Sequence, residues 1–135
     1  MRSGCPISYA LEIFGDRWTL IVLRDTLLRS KRRFRELLAC EEGIATNVLA
    51  DRLKRLEQRG LLVKERDPAD ARQQLYRPTE LAVSLMPMLV EMTVWGAQTS
   101  PDTEFDPDFL RRFKTDRAQL ITDLQERVRA ESGLD

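Results

Sequence analysis

Residues 31–80 read KRRFRELLAC (31–40), EEGIATNVLADRLKRLEQRGLL (41–62) and VKERDPADARQQLYRPTE (63–80). Two short helical patterns come first, separated by a break at Gly43. Two β-like runs follow, LLVKER and QQLYR, joined by the turn-rich DPADAR. Helix, turn, helix and hairpin make a winged helix-turn-helix, a shape whose usual work is to lay one helix in the major groove.

Working outward in both directions, the same reading extends to the whole chain. Pro6–Phe14 reads as a first helix, because Pro suits the first helical position. Ile7, Ala10, Leu11 and Phe14 give it an apolar face, and Gly15 ends it. Asp16 is the expected N-cap of a second helix, Arg17–Leu28, too apolar on all sides to lie on a surface. Phe34, Leu37 and Leu38 form the stripe of the third helix. A fourth runs from Ile44 to Arg59, with Leu49, Leu53 and Leu56 inward and Gly60 just past its end. Thr79 caps a long helix reaching about Gln98, which Pro87 should kink. SPDTEFDPD reads as a linker. A last helix, Phe109–Arg129, carries Leu110, Phe113, Leu120, Ile121, Leu124 and Val128 along one side. The expected class is mainly α with a small β-hairpin wing, and long C-terminal helices for dimerisation. Residues 1–98 are expected to hold the DNA-binding domain and its dimerisation helix. Residues 99–135 are then a linker and helical extension.

Composition narrows the function. The 135 residues include no His, which removes the commonest general base and every imidazole metal site. Neither a Gly-rich phosphate loop nor a nucleophile elbow is present, so no catalytic site, metal or cofactor is expected. Cys5 and Cys40 are too few for a disulfide framework. No apolar run reads as a membrane span and no signal peptide is visible, so a cytoplasmic location is expected. Net charge is zero, yet residues 1–79 hold 16 Lys+Arg against 11 Asp+Glu and residues 80–135 hold 6 against 11. DNA binding depends on the local field, and the N-terminal part is basic.

The candidate DNA contacts follow from helical geometry. At 100° per residue, Asn47, Asp51, Lys54 and Gln58 lie opposite the leucine stripe, with Arg55 beside them and Thr46 at the leading end. Asn can pair bidentately with adenine, Thr can touch a thymine methyl, and Lys can reach guanine or phosphate. RSKRRFR (29–35) carries five basic residues, of which Lys31, Arg32 and Arg33 are expected at backbone phosphates. Arg72 at the hairpin tip suits a narrow minor groove, with Asp70 holding the loop or orienting it. Taken alone, a charged outer helix face is ordinary. The basic run before it and the hairpin after it decide for DNA. The rival reading is a winged-helix protein-interaction module without DNA binding, presenting Met86, Met88 and Met92 as an adaptable surface.

Separated positions also agree, in order, with one family. Cys5-Pro6, Gly15-Asp16-Arg17-Trp18-Thr19-Leu20-Ile21, Arg33-Phe34, Glu36-Leu37, Gly43-Ile44, Leu49, Leu53, Leu56, Gly60-Leu61, Tyr76, Thr79-Glu80-Leu81 and Trp95-Gly96 resemble the HxlR family of bacterial transcription regulators, in the MarR-like group. The resemblance spans about residues 5–96. It implies a winged helix, a homodimer and a palindromic double-stranded operator. The first helix and the helices after residue 79 are the expected dimer surfaces. Ala45 stands where the family usually has Ser, Asn47 where it often has a basic residue, Pro78 for Leu and Ala82 for Gly. Cys5 matches a position that acts as a thiol redox sensor in some members. Its place at a helix N-terminus, with Arg2 near in sequence, is a setting of reactive thiols. An oxidant or a small molecule is therefore the expected effector class. Cys40 reads as a small buried hydrophobe.

Overall fold

The computed structural model describes residues 3–134 and contains a mainly helical chain with one hairpin. The elements are α1 (Pro6–Phe14), α2 (Arg17–Leu27), α3 (Phe34–Leu38), α4 (Thr46–Gln58), β1 (Leu62–Arg66), β2 (Gln74–Pro78), α5 (Glu80–Val83), α6 (Met86–Thr99) and α7 (Pro107–Glu131). A winged helix-turn-helix is thus present where the sequence placed it. Arg2 lies outside the described residues.

Local chemistry explains most boundaries. Pro6 opens α1, and a Cβ on Gly15 would meet the Leu11 carbonyl oxygen at 2.4 Å, so only glycine lets α2 start so close to the end of α1. The Asp16 carboxylate accepts the Trp18 and Thr19 amides and caps α2. Ala45 stands at the head of α4 without a side-chain cap, and α4 starts at Thr46, two residues later than the apolar pattern predicts. Gly60, at φ 75°, turns the chain out of α4; the Leu61 amide then reaches the Leu56 carbonyl and closes the helix. Thr79 accepts the Ala82 amide, as expected of a cap, and its hydroxyl donates to the Gly60 carbonyl at 2.6 Å.

α2 runs through the centre. Val22, Leu23 and Leu27 are fully enclosed with Leu37, Ile44, Leu49, Leu53, Leu56, Leu62, Val83, Met86 and Val90. Burying such a side chain contributes about 1.5–3 kcal/mol, so this cluster is the main stabilising feature. Cys40 is part of it. β1 and β2 are antiparallel with Lys64 opposite Tyr76. A bridge between Arg33 and Leu75, and a hydrogen bond from the Tyr76 amide to the Arg32 carbonyl, attach the wing to the start of α3.

Two predicted helices are broken. The single long helix after Thr79 is two, α5 and α6, separated by a turn at Ser84-Leu85 with Pro87 in the first turn of α6. By length and apolar composition, residues 80–99 do match a membrane span, contrary to the sequence reading. Their apolarity serves packing: Ala82, Val83, Met86, Leu89, Val90 and Val94 are buried. α7 begins at Pro107, capped by Asp106, and breaks at Asp116, whose φ and ψ of −158° and 76° are not helical. Arg112 pairs with Asp123 across that break. Eleven residues of straight helix would separate them by about 16 Å, so the chain folds back there. The second half, from Arg117, packs back on the rest of the chain with Leu120 and Val128 in the core.

Candidate nucleic-acid interface

α4 presents its polar edge to solvent because its leucines face α2. Thr46, Asn47, Asp51, Lys54 and Arg55 are all exposed on it. Asp51 sits centrally and is neutralised by two neighbours, Arg52 at 2.7 Å and Arg55 at 2.9 Å. Arg52 reaches further, with Nε 2.8 Å from Asp16, so one guanidinium ties α4 to the cap of α2. Burial pushes the Asp16 carboxyl up. The Thr19 hydroxyl, Arg52 and the two capping amides outweigh it and hold the pKa at about 2. The angle of α4 is therefore set by a charged hydrogen-bond network as well as by leucines.

The wing is fastened just as specifically. Arg33 lies 2.8 Å from Asp67, which is only 3% exposed although it stands in a turn. The Asp67 carboxylate also accepts the Ala69 amide at 2.8 Å; that bond and Arg33 hold it below its ordinary range. At the tip, Asp70 accepts both the amide and Nε of Arg72 at 3.1 Å, the orienting role anticipated for it. The Arg72 side chain is 90% exposed. Between wing and helices lie two shallow clefts. One is lined by Phe34, Lys54, Lys64 and Tyr76, the other by Phe34, Arg35, Arg72 and Gln74.

The predicted residues are therefore divided. Thr46, Asn47, Lys54 and Arg55 share the outer edge of α4, and Arg72 stands at the wing tip, lining a cleft with Arg35 of α3. Lys31 is half-buried at the loop, with its amide bonded to the Asp25 carbonyl. Arg33 spends its charge on Asp67. Arg32 is a correction. Its side chain is 14% exposed, donates to the Thr26 and Lys31 carbonyls, and lies 3.5 Å from Glu131. It is turned into the fold, because the C-terminal helix covers the loop where the sequence led to the expectation of a phosphate contact.

Sequence reasoning missed Arg35 and Lys64. Arg35 belongs to the same basic run, but only the folded wing shows that its helix edge faces Arg72. Lys64 shares the face of the inward Leu62 on β1 and stands opposite Tyr76, so period-2 alternation alone would have turned it inward, and only the paired wing shows it exposed beside α4. Asp25 was missed as well. It is buried at 1% exposure, with Arg24 Nε at 3.0 Å and Arg29 at 3.6 Å. It anchors the loop that follows α2 and does not face the clefts.

Away from the wing, exposed apolar groups gather on α1 and α6. Ile7 is 71% exposed and Trp95 70%, with Leu11 and Met92 one turn from each. A groove of about 430 Å³ between α2 and α6 is lined by Leu20, Ile21, Leu28, Leu89 and Met92. Cys5 is free and exposed at the head of α1.

Comparison with known proteins matches this architecture. The model of the HxlR-like helix-turn-helix covers residues 13–104. An uncharacterized HTH-type transcriptional regulator of Mycobacterium tuberculosis is 35% identical over 108 residues, which is 80% of this chain and 67% of its own. The crystal structure of PA1607, described as a candidate transcription factor, superposes with a TM-score of 0.69 at 31% identity, over 78% of this chain and 73% of that one. The redox regulator HypR in its oxidized form gives a TM-score of 0.62 at 26% identity, over 71% of this chain and 98% of that one. On the match over residues 13–104, which the folded wing and helices bear out, this chain belongs to the HxlR-like helix-turn-helix family of transcriptional regulators.

Proposed function

We propose that this protein binds double-stranded DNA sequence-specifically, as a homodimer on a palindromic operator, and so regulates transcription. The observation that carries this is the joint surface of α4 and the wing. Thr46, Asn47 and Lys54 stand on the exposed helix edge, Lys64 lines the cleft between α4 and the wing, and Arg35 and Arg72 line the adjoining cleft between α3 and the wing. Asn47 and Thr46, at the N-terminal end of α4, are the base readers in this reading. Asp51 can accept from a cytosine amine once Arg52 or Arg55 shifts to a phosphate. Lys31, Arg35 and Lys64 are the phosphate contacts, and Arg72 enters the minor groove.

Dimerisation in this reading uses α1 and α6. Ile7 and Leu11 on α1, and Met92 and Trp95 on α6, are large apolar side chains left exposed in the single chain, which a partner copy would cover. Two copies joined there would set their α4 helices about 34 Å apart, one turn of DNA. Residues 1–98 carry both tasks, residues 99–135 are an extension, and DNA as the ligand makes the cytoplasm the site of action. An oxidant effector acting at Cys5 is favoured by the exposed thiol at the head of α1, beside that dimer surface, and by the likeness to a redox regulator.

Mobility-shift titration on duplexes at 50 and 200 mM salt tests the reading. With six or more phosphates neutralised per dimer, affinity should fall by about 10³-fold between the two. A chain that binds no duplex at low salt is instead a winged-helix interaction module.

A further inference from the structure

The end of α7 grips the two segments that flank the reading helix. Ser30 Oγ donates to Glu131 Oε2 at 2.6 Å, and Arg32 lies 3.5 Å from the same oxygen. Arg127 donates to the Leu27 and Leu28 carbonyls at 3.3 and 3.0 Å. On the other side, Arg77 of β2 donates to the Ser132 carbonyl at 2.7 Å and pairs with Glu65 of β1 at 2.6 Å. One turn of helix therefore holds both the basic loop and the root of the wing. The family match ends at residue 104, so this grip lies outside it.

Two further features show that the contact constrains the chain. Ser30 has φ 57°, and among the described residues it is the sole non-glycine in the left-handed region. A residue stays there only when its surroundings hold it, and the Glu131 carboxylate does so here. At the opposite contact, Arg77 Nε and Ser132 Oγ are buried without a partner among the described residues. Gly133, at φ 68°, lies so close that a Cβ would be 3.3 Å from the Arg77 guanidinium. The C-terminal turn is thus shaped around Arg77.

We propose that residues 127–133 form a clamp that positions loop 29–33 and strand β2 relative to α4, with Glu131 and Arg77 as positioning residues for operator recognition. This rests on the DNA-binding reading above. Lys31 lies in the loop and Arg35 follows it on α3, and Arg72 and Lys64 ride on the wing, so the clamp sets the spacing of phosphate contacts around the base readers. Arg32 is part of the fastening and meets no phosphate.

Full-length Ser30→Gly is the decisive variant. Glycine accepts the positive φ without strain, so the fold is kept while the hydroxyl that meets Glu131 is lost. Glu131→Ala removes the acceptor itself, and Glu131→Gln restores an acceptor oxygen. Affinity is measured on a duplex selected from a random pool and on a scrambled duplex of equal length. Ser30→Gly and Glu131→Ala should each lose about 5–10-fold on the selected duplex and little on the scrambled one. The salt slope should change by less than one phosphate, and Glu131→Gln should recover most of the loss. A variant that melts lower yet binds the selected duplex like wild type overturns the proposal. Hydrogen exchange without DNA separates this from failure of the DNA-binding reading. The Lys31 amide, bonded to Asp25, and the Tyr76 amide, bonded to Arg32, should exchange at least fivefold faster in Ser30→Gly. Unchanged protection at both amides refutes the clamp whether or not any duplex is bound.

Discussion

Replacing Asp16 tests how α4 is held. Its carboxylate accepts the Trp18 amide at 3.0 Å, the Thr19 amide at 3.1 Å and Arg52 Nε at 2.8 Å. Asp16→Ala removes a helix cap, which costs about 1 kcal/mol. It also removes the partly exposed Arg52–Asp16 ion pair, which contributes about 0.5–1 kcal/mol, and leaves Arg52 with Asp51 alone. The sum is about 2 kcal/mol, which for a chain of this size lowers the melting temperature by about 6–10 °C. Asp16→Asn caps equally well but carries no charge, so it should lose only the second part, about 2–4 °C. The sign of the pH dependence follows from the pKa of about 2 against an ordinary 3.8. A depressed carboxyl stabilises the folded state above about pH 4 and ceases to do so as pH falls through 3.8 towards 2. Urea unfolding of wild type and Asp16→Asn at pH 7, 5 and 3 should show two midpoints that converge in acid. A gap that is constant over that range, or absent at pH 7, would refute the argument that Arg52 is held by charge.

Truncation after Ser100 removes Leu120 and Val128 from the core, so the protein should lose about 3–6 kcal/mol in denaturant unfolding; an unchanged midpoint contradicts the packing of α7 on its own subunit. Trp95→Ala should weaken the dimer in sedimentation experiments without lowering helix content, since Trp95 is exposed in the single chain. Peroxide or a quinone should alter operator affinity reversibly in wild type and in Cys40→Ser but not in Cys5→Ser; a response that persists in Cys5→Ser assigns sensing elsewhere.

What the sequence made legible is what local chemistry controls. Pro6 and Gly15 bracket α1, Asp16 caps α2, Gly60 ends α4, and the Pro87 disturbance is a real break between α5 and α6. The inward leucines of α4 also assign its outward edge, so Thr46, Asn47, Lys54 and Arg55 were found by counting residues. What remained hidden depends on distant partners. Arg32 is drawn inward by Glu131, 99 residues away, and no local pattern marks it. Arg33 looks like a free cation until the hairpin brings Asp67 beneath it. The break at Asp116 does leave a trace in the sequence: helical steps of three and four from Phe113 land on Asp116 and Arg117, where an unbroken apolar stripe needs a hydrophobe. Lys64 and Arg35 needed the register of the wing before they could be placed with Arg72.

The central claim is that the exposed edge of α4 reads base sequence. Selection of duplexes from a random pool, run in parallel on wild type and Asn47→Ala, tests it most directly. Wild type should yield a two-fold symmetric consensus with half-sites one turn apart. Asn47→Ala should relax one position in each half-site, losing about 1–3 kcal/mol of discrimination there, with the other positions kept. An identical consensus from both proteins, or no enrichment from wild type, would contradict the account.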